Sequence, residues 1–368
     1  MTMHARELSV VRYRSFDEYR LDLDEGVTVL VGHNAAGKTN LIEALQLTTS
    51  GASFRHPASR ELVREGCGSC TVDLRIEGEG RVLDMGLAVE DGKRAFRRNG
   101  KRCPAAGVRG VLPSVLFCPD HLDMVKRGAA QRRAALDDFG VQLNENYANL
   151  VAAYERTVGQ RNALLKEPWC TREMLGAWDE SLAAAGASLL VHRVALLARL
   201  REQLVAAYRR VAAGEVADVS YVSTIGEIPD SLSREEQRSY AHDRFLAALA
   251  ERADEEMRRG VTLVGPHRDE LEFTVDGRSA RSFASQGQQR TLVLAWKVAE
   301  VAVARDILGT PPLLLLDDVM SELDAARREA FLALVGDGIQ TVITTTNLGY
   351  FTDDVIDRAK VVRIGAEI

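Results

Sequence analysis

The stretch Gly32-His-Asn-Ala-Ala-Gly-Lys-Thr39 has the spacing of a loop that wraps the phosphates of a nucleoside triphosphate. The apolar, β-branched run Val27–Val31 before it is typical of a buried parallel strand. Residues 40–47 after it have the apolar periodicity of a helix. A chance glycine-rich turn is the weaker interpretation, because both flanking elements are the ones that such a loop needs. The sequence therefore predicts a phosphate-binding loop that opens a helix.

Each residue type in this loop has a chemical role toward ATP and Mg²⁺. Gly32 and Gly37 let the backbone N–H groups surround the phosphates. Lys38 is predicted to reach the β and γ oxygens, and the Thr39 hydroxyl to bind Mg²⁺. The predicted nucleotide-binding residues are Gly32, His33, Asn34, Ala35, Ala36, Gly37, Lys38, Thr39 and Asn40.

A second motif, which is acidic, completes the predicted nucleotide site. The run Pro311-Pro-Leu-Leu-Leu-Leu-Asp-Asp318 places two carboxylates at the end of a buried strand, where an open α/β sheet binds its ligand. Asp317 is predicted to hold Mg²⁺ through water, since Mg²⁺ keeps several waters and few carboxylates. Asp318 is the candidate general base or water-positioning group, so Lys38 and Asp318 are the predicted catalytic residues. A solvated acidic pair at a strand end is the alternative.

The composition is that of an ordinary soluble globular protein, with 46% apolar and 27% charged residues. A chain of 368 residues is long enough for about two domains. Because the sequence has no run of about 18 apolar residues, and because its start leads into a strand, we expect a cytoplasmic protein without a membrane partner. The formal net charge of -6 means that any bound polyanion has to meet a local basic patch.

The five cysteines indicate a reducing compartment, because an odd number in a long chain does not form a disulfide framework. Cys67-Gly-Ser-Cys70 has the spacing of half a zinc site, but the sequence has no second pair of cysteines or histidines to complete it. We therefore interpret these two cysteines as turn residues.

Strands that alternate with helices predict a mainly parallel α/β sheet with a helical lobe inserted in the middle. Alternating apolar residues between positions 71 and 90 add an antiparallel β region. Three apolar helical patterns follow, and the capping box Ser233-Arg-Glu-Glu236 opens the third. The run 261–264 is predicted as a strand. The predicted domains are an ATPase lobe, residues 1–120 and 261–368, and a helical lobe, residues 121–260.

A basic β-hairpin is predicted around the turn signals Asp91-Gly92 and Asn99-Gly100. The hairpin concentrates six cations around the single aromatic residue Phe96. Such a surface suits contact with a DNA phosphate backbone without readout of the bases. Cations that protect an exposed strand edge are the alternative. The candidate DNA-binding residues are Arg94, Arg97, Arg98, Lys101 and Arg102.

Four motifs resemble those of ABC-type ATPases of the SMC branch. These are the phosphate loop as Walker A, Ser285-Gln-Gly-Gln-Gln289 as the signature, the strand that ends at Asp317-Asp318 as Walker B, and Ser321-Glu-Leu-Asp324 as the D-loop. Four further segments are Ser53-Phe-Arg55, Phe117-Cys-Pro-Asp120, Arg132-Arg133 and Gly265-Pro-His-Arg-Asp269. In this order and spacing, the motifs make the chain similar to the RecF family over essentially its whole length.

The resemblance implies an ABC-type ATPase head that two identical chains use head to tail. Ser285, Gly287 and Gln288 of one chain would face the γ-phosphate of a nucleotide held by Lys38 and Thr39 of the other. The D-loop residues would be Ser321 and Asp324.

The same resemblance implies the biological role. It implies ATP-dependent dimerisation on double-stranded DNA and gapped DNA junctions, slow DNA-stimulated ATP hydrolysis that releases the DNA, and help in loading a recombinase. It also implies the partner proteins RecR and RecO, and a place in DNA repair, replication, recombination and the SOS response. The resemblance therefore also implies that this protein is cytoplasmic and associated with the nucleoid.

Two positions depart from the broader ATPase pattern. Ala35 occupies a position where glycine is common, which restricts the backbone. Asp318 replaces the glutamate of transporter ATPases and fits slow turnover. The alternative functions are a nucleotide-binding subunit of a transporter and an ATP-binding scaffold with negligible hydrolysis. The inserted helices and the basic hairpin favour the DNA-repair function, and the intact Walker motifs favour some hydrolysis.

Overall fold

The computed structural model of the protein describes residues 3–212, 214–335 and 338–365. The chain forms two compact units. The first unit comprises the chain up to Leu122, residues 210–212, and the chain from Val293 onward, and the second comprises Asp123–Arg209 and Gly214–Leu292. The ends of the predicted ATPase lobe, residues 1–2 and 366–368, lie outside the described residues.

The described strands and helices are numbered in chain order. The strands are β1 His4–Tyr13, β2 Phe16–Asp22, β3 Val27–Val31, β4 Ser69–Gly78, β5 Arg81–Glu90, β6 Lys93–Arg98, β7 Lys101–Cys103, β8 Ser114–Phe117, β9 Ala217–Val222, β10 Glu270–Val275, β11 Arg278–Ser279, β12 Leu313–Asp317, β13 Thr341–Thr345 and β14 Lys360–Arg363. The helices are α1 Lys38–Ser50, α2 Pro119–Leu122, α3 Ala129–Leu143, α4 Glu145–Leu165, α5 Arg172–Val211, α6 Arg234–Arg259, α7 Ala280–Phe283, α8 Gln286–Leu308, α9 Ala325–Val335 and α10 Asp353–Arg358.

A parallel sheet of five strands forms the centre of the first unit, in the order β14-β3-β13-β12-β8. Strands β12 and β13 are buried along their whole length, as their continuous apolar and threonine sequences predict. The register pairs Val31 with Thr345 and Asp317 with Thr344. The carboxyl ends of β3, β13 and β12 therefore lie side by side at one edge of the sheet, where such sheets bind their ligands.

An antiparallel sheet of six strands, in the order β2-β1-β4-β5-β6-β7, forms the other layer of the first unit. Its strands alternate buried apolar and exposed polar residues, so one face is apolar. That face shares a core with α1, and Leu74, Leu87, Leu41 and Leu45 belong to it. Each fully buried leucine contributes about 1.5–3 kcal/mol. Together with the parallel sheet and the inserted helices, this layer confirms the predicted mixed α/β class.

The second unit contains helices α3 to α6 and a small antiparallel sheet in the order β11-β10-β9. Strand β9 is absent from the sequence-based assignment, although it lies inside the predicted helical lobe. It pairs with β10 over its whole length, from Ala217 opposite Val275 to Val222 opposite Glu270. This pairing ties the chain after Gly260 to the second unit, which therefore extends to Leu292 and not to Gly260 as predicted.

The predicted strand 261–264 is wrong, because these residues form no strand. Their backbone groups bond to side chains instead of to a neighbouring strand. The Thr262 N–H donates to Asn162 Oδ1 at 2.7 Å, and the Leu263 N–H donates to Glu256 Oε1 at 2.6 Å. The predicted capping box of α6 is present, with Ser233 and Glu236 each accepting a hydrogen bond from the other's backbone N–H.

Helix α5 has 40 residues and is about 60 Å long. By length and composition, an 18-residue part of α5 is apolar enough to cross a membrane, a property that the sequence alone does not predict. Just over half of that part is buried inside the protein, and core helices of soluble proteins have the same length and composition. The helix also carries the buried Arg193, which pairs with Asp137 at 2.6 Å. These features are those of a core helix.

The turn Gly265-Pro-His-Arg-Asp269 is held by a buried polar network within the second unit. Asp269 accepts hydrogen bonds from the Tyr221 hydroxyl at 2.9 Å and the Thr224 N–H at 2.7 Å. The His267 ring bonds to the Tyr154 hydroxyl at 2.7 Å through Nδ1 and to the Thr262 carbonyl at 3.1 Å through Nε2. A neutral ring that donates from Nε2 and accepts at Nδ1 satisfies both contacts. The motif therefore has a structural role in this turn.

We expect this histidine to make stability pH-dependent. Burial lowers the pKa of His267 to about 4. The unfolded chain then binds more protons than the folded chain between pH 6.5 and 4, so the free energy of unfolding should fall by about 2–3 kcal/mol as the pH falls through that window. Urea unfolding at several pH values measures this. His267→Gln should flatten the dependence, and His56→Asn, at an exposed residue whose positive φ asparagine tolerates, is the control. Equal pH dependence in wild type and His267→Gln would contradict the assignment.

Candidate functional site

The predicted phosphate loop connects β3 to α1 in the first unit. Gly37 has a φ of 100°, and a Cβ atom there would come within 2.5 Å of the Phe16 ring. A Cβ atom on Gly32 would come within 2.4 Å of the Ile364 carbonyl oxygen. Ala35 has a φ of 64°, the left-handed region that glycine adopts at lower cost. His33 and Asn34 are exposed in the loop. Both glycines are therefore required by the local geometry, and Ala35 carries some backbone strain.

The Lys38 ammonium folds back on the loop that it follows. Its Nζ donates to the carbonyl oxygens of Gly32 at 2.7 Å and His33 at 2.8 Å. The side chain is 7% exposed, and burial lowers the pKa of Lys38 while Asp318 and Asp317 act in the opposite direction. The cation is thus held at the N-terminus of helix α1, whose free N–H groups also attract anions.

Threonine and aspartate side chains from three elements meet beside this lysine. Thr39 Oγ1 donates to Asp317 Oδ1 at 3.0 Å, and Thr344 Oγ1 donates to the same oxygen at 2.8 Å. Burial raises the pKa of Asp317, and the two hydroxyl donors oppose that shift. The structure therefore brings the predicted Mg²⁺ residues Thr39 and Asp317 together. Thr344 is a site residue that the sequence analysis does not identify.

Asp318 follows the end of β12 with a left-handed φ of 53°. Its N–H donates to Thr344 Oγ1 at 2.9 Å, which fixes this conformation. Its Oδ1 atom is buried and, among the described residues, has no hydrogen-bond partner. Burial, and next the neighbouring Asp317, raise the pKa of Asp318. An unpaired carboxylate oxygen is costly unless a ligand or water binds it, so this atom marks a functional position.

The residues at the end of β12 fit Mg²⁺. Thr39 and Asp317 supply two hard oxygen ligands already in contact, which suits an ion that binds one or two protein groups and otherwise keeps water and substrate phosphates. The unpaired Oδ1 of Asp318 lies at the same strand end and can accept from a coordinated water. Within the described chain no cluster of three or more histidine, cysteine or acidic residues suggests a different metal.

Arg55 and Asn40 lie next to the phosphate loop. The Arg55 guanidinium donates to Asn40 Oδ1 at 2.9 Å, and Asn40 Nδ2 donates to Ser15 Oγ at 3.0 Å. Glu43, on the next turn of α1, is fully buried and accepts from Ser53 Oγ at 2.6 Å. The Asn40 amide therefore contacts protein groups in this structure. The position of Arg55 follows from this network and could not be read from the sequence.

The predicted signature residues lie in the second unit, at the start of α8. The Gln288 N–H donates to Ser285 Oγ at 3.2 Å, and the Ser285 N–H donates to Gln288 Oε1 at 2.8 Å. This reciprocal pair is a capping box, which the sequence analysis does not identify. Ser285 is exposed, and the first helical turn, which includes Gly287, presents N–H groups to the surface.

The predicted D-loop follows β12 in the first unit. Ser321 Oγ donates to the Asp318 carbonyl at 2.8 Å. Asp324 Oδ1 accepts from the Arg327 N–H at 2.8 Å at the start of α9, and this bond is the main cause that lowers the pKa of Asp324. Ser321 thus contacts the backbone of Asp318 directly.

The candidate DNA-binding cations do not share one face of the hairpin. Phe96 lies opposite Leu87, so Arg94, Arg98 and Lys101 fall on the Phe96 face, and Arg97 and Arg102 fall on the other. Arg94 donates to the Pro57 carbonyl, and Arg97 forms an ion pair with Asp73 at 3.6 Å. Within the described residues no ion pair involves Arg98, Lys101 or Arg102, and all three are exposed. These three are the cations best placed to bind an external phosphate.

Sequence comparison relates the chain to known proteins over its whole length. The model of the RecF/RecN/SMC N terminal domain matches residues 4–364. The DNA replication and repair protein RecF of Synechocystis sp. is 36% identical, with 99% of this chain and 97% of that protein covered. The DNA replication and repair protein RecF of Symbiobacterium thermophilum is 37% identical, with 94% and 92% covered.

Structure comparison agrees with the sequence comparison. The recombination mediator protein RecF-ATPrS of the RecFOR pathway matches with a TM-score of 0.88 and 28% identity, and the alignment covers 99% of each chain. An Smc head bound to the C-terminal winged-helix domain of ScpA matches with a TM-score of 0.57 and 14% identity, covering 98% of this chain and 93% of that one. The second likeness shows the ABC-type head fold and no more.

Proposed function

The chain belongs to the RecF family, and from that membership we propose that it is an ATP-dependent DNA-binding protein of DNA replication and recombinational repair. In this proposal ATP with Mg²⁺ binds at the phosphate loop and drives dimerisation on double-stranded DNA near single-strand gaps. Slow hydrolysis, stimulated by DNA, then releases the dimer. One observation carries the ATP-dependent part of the proposal, which is the contact of Thr39 with Asp317, the residue before Asp318 and its unpaired Oδ1 oxygen.

The arrangement supports hydrolysis of ATP through four side chains. Lys38 would exchange its two carbonyl acceptors for phosphate oxygens and stabilise their charge. Thr39 and Asp317 would hold Mg²⁺, which neutralises charge on the β and γ oxygens. Asp318 would accept a hydrogen bond and then a proton from the attacking water, and its raised pKa makes it a better base near neutral pH.

The signature segment supports the use of two copies. The capped N-terminus of α8 offers N–H groups and the positive end of a helix dipole, which suits a γ-phosphate. We propose that Ser285, Gly287 and Gln288 serve the nucleotide of a second copy, and that Ser321 and Asp324 lie at the same interface.

The name of the related RecF-ATPrS structure, which places that protein in the RecFOR pathway, supports RecR and RecO as partners. The proposed location of the protein is the cytoplasm, in association with the nucleoid.

The two alternative functions receive less support. A transporter subunit is not favoured, because the relatives at 36–37% identity over nearly the whole chain are DNA replication and repair proteins. A scaffold without hydrolysis would have no use for a buried, unpaired carboxylate oxygen at the end of β12.

Sedimentation of the wild-type protein tests the proposal. With Mg-ATP the protein should form a dimer that carries a labelled duplex, because the γ-phosphate completes the interface. With Mg-ADP, the matched control, it should remain a monomer and leave most of the duplex free. A protein that stays monomeric with ATP, or that dimerises equally with ADP, would contradict the proposed role of the nucleotide.

A further inference from the structure

Thr344 contacts both aspartates of the candidate nucleotide site with one hydroxyl group. Strand β13 lies between β3, which leads into the phosphate loop, and β12, which ends at Asp317. The register places Thr344 directly beside Asp317. Its Oγ1 atom donates to Asp317 Oδ1 at 2.8 Å and accepts from the Asp318 N–H at 2.9 Å. The side chain is fully buried, so bulk water does not compete for these two bonds.

The chemistry of the two partners fixes the direction of both bonds. A backbone N–H can only donate, so Thr344 Oγ1 accepts from Asp318 and its single proton points to Asp317. Thr39 Oγ1 donates to the same carboxylate oxygen at 3.0 Å. Among the described residues, none donates to the second oxygen of Asp317, Oδ2. Two hydroxyl groups therefore hold Oδ1, and Oδ2 is the oxygen that can accept from a water of Mg²⁺.

The bond from Asp318 to Thr344 stabilises a costly backbone conformation. Asp318 has a φ of 53°, in the left-handed region that residues other than glycine adopt at a cost. This conformation decides where the Asp318 carboxylate lies, with its buried and unpaired Oδ1 atom. Without the Thr344 acceptor the backbone would be free to relax, and the carboxylate would move with it.

The other threonines of β13 use their hydroxyl groups differently. Thr341 Oγ1 donates to the Ile339 carbonyl at 3.0 Å, and Thr345 Oγ1 donates to the Asn347 carbonyl at 3.0 Å. Both are local bonds, which satisfy a buried hydroxyl within its own segment. Thr344 differs, because its hydroxyl bonds to the neighbouring strand and to the residue that follows that strand.

We propose that Thr344 is a positioning residue that orients Asp317 toward Mg²⁺ and holds the backbone of Asp318 for its role toward the attacking water. The inference rests on the proposed function, because it takes the roles of the two aspartates from it. Its own support is the pair of bonds that one buried hydroxyl makes. A side chain that orients a metal ligand typically contributes about 10–100-fold to metal affinity or activity.

Thr344→Val tests the inference, since valine keeps the branched shape and removes the hydroxyl. Calorimetry measures the affinity for ADP with Mg²⁺ and again in EDTA, because ADP binding involves no hydrolysis. The ratio of the two affinities should fall by about 10-fold or more. The affinity in EDTA should stay at the wild-type value, since the phosphate loop is unchanged. Single-turnover hydrolysis of saturating Mg-ATP should slow by about 10–100-fold.

Two further variants separate the hydroxyl group from the packing of the strand. Thr344→Ser keeps the hydroxyl and should stay close to the wild type in both measurements. Thr341→Val is the matched control, because Thr341 is a buried threonine at the other end of β13. This control should also keep both wild-type values. Thermal melting reports folding, and Thr344→Ala replaces Thr344→Val with the same expectations if the valine variant does not fold.

The outcomes separate this inference from the proposed function. Wild-type values in Thr344→Val, or equal losses in Thr344→Val and Thr344→Ser, would overturn the inference and leave the proposed function standing. A loss in one measurement alone would overturn the role toward the other aspartate. If Mg²⁺ strengthens ADP binding through Thr344 but the wild type does not hydrolyse ATP, the proposed hydrolysis is wrong and the positioning of Asp317 stands. If Mg²⁺ does not strengthen ADP binding in the wild type, the Mg²⁺ site and the inference are both wrong.

Discussion

Asp318→Asn is expected to lower the rate of ATP hydrolysis by about 10²–10³-fold while nucleotide binding persists. The Asp318 backbone is fixed by its bond to Thr344, so the variant side chain keeps its place. The amide cannot take a proton from water, whereas the carboxylate with its raised pKa can. Single-turnover hydrolysis with radiolabelled ATP measures the loss.

The same variant should hold the protein in its ATP-bound state. We expect the Asp318→Asn dimer to persist on a labelled duplex for much longer than the wild-type dimer, since hydrolysis is the step proposed to release it. Asp353→Asn is a matched control, because this exposed carboxylate in the first turn of α10 has no proposed role in catalysis or dimerisation. Wild-type hydrolysis in Asp318→Asn would remove Asp318 from the catalytic step. A monomer with bound ATP would argue against the nucleotide-driven clamp.

Reversal of three hairpin cations is expected to have the next largest effect. Arg98, Lys101 and Arg102 are exposed and free of ion pairs within the described chain, so Arg98→Glu, Lys101→Glu and Arg102→Glu together should remove about three phosphate contacts. The slope of log affinity against log salt should then decrease by about 2–3, and duplex affinity at low salt should fall by about 10²-fold or more. Fluorescence anisotropy with a labelled duplex across a salt series gives both quantities.

A charge-matched variant controls for the net charge of the protein. Arg234, Arg238 and Arg252 are exposed cations on α6, and their reversal changes the formal charge by the same amount. That variant should keep most of the wild-type salt slope. If the hairpin variant and the α6 variant have equal slopes, the hairpin does not contact DNA. Affinities that differ between duplexes of unrelated sequence would contradict the expectation of backbone contact alone.

Much of the geometry of the candidate nucleotide site could be predicted because its residues lie in short contiguous segments. The loop from Gly32 to Thr39 carries its own strand and helix signals, and its conformation depends on neighbours in sequence. The two aspartates at the end of β12 follow from the rule that parallel strands present their ligands at their carboxyl ends. The contact between Thr39 and Asp317 is the expected result of that rule.

The missed features all depend on pairing between distant segments. Strand β9 is short and becomes a strand by pairing with β10, about fifty residues later in the chain. The run 261–264 looks like a strand by apolar pattern, but side chains of Asn162 and Glu256 take its N–H groups. Local propensity cannot anticipate either result, because tertiary partners decide where backbone hydrogen bonds go.

The sequence by itself determined the phosphate loop, the acidic strand end, the capped start of α6 and the mixed α/β class, since each depends on local periodicity and on residue chemistry. The tertiary structure alone decided that Thr344 joins Thr39 on Asp317 and that the hairpin cations divide between two faces. The physical reason is that strand register and burial are set by packing between residues far apart in the chain, where the sequence pattern of one segment carries no information about its partner.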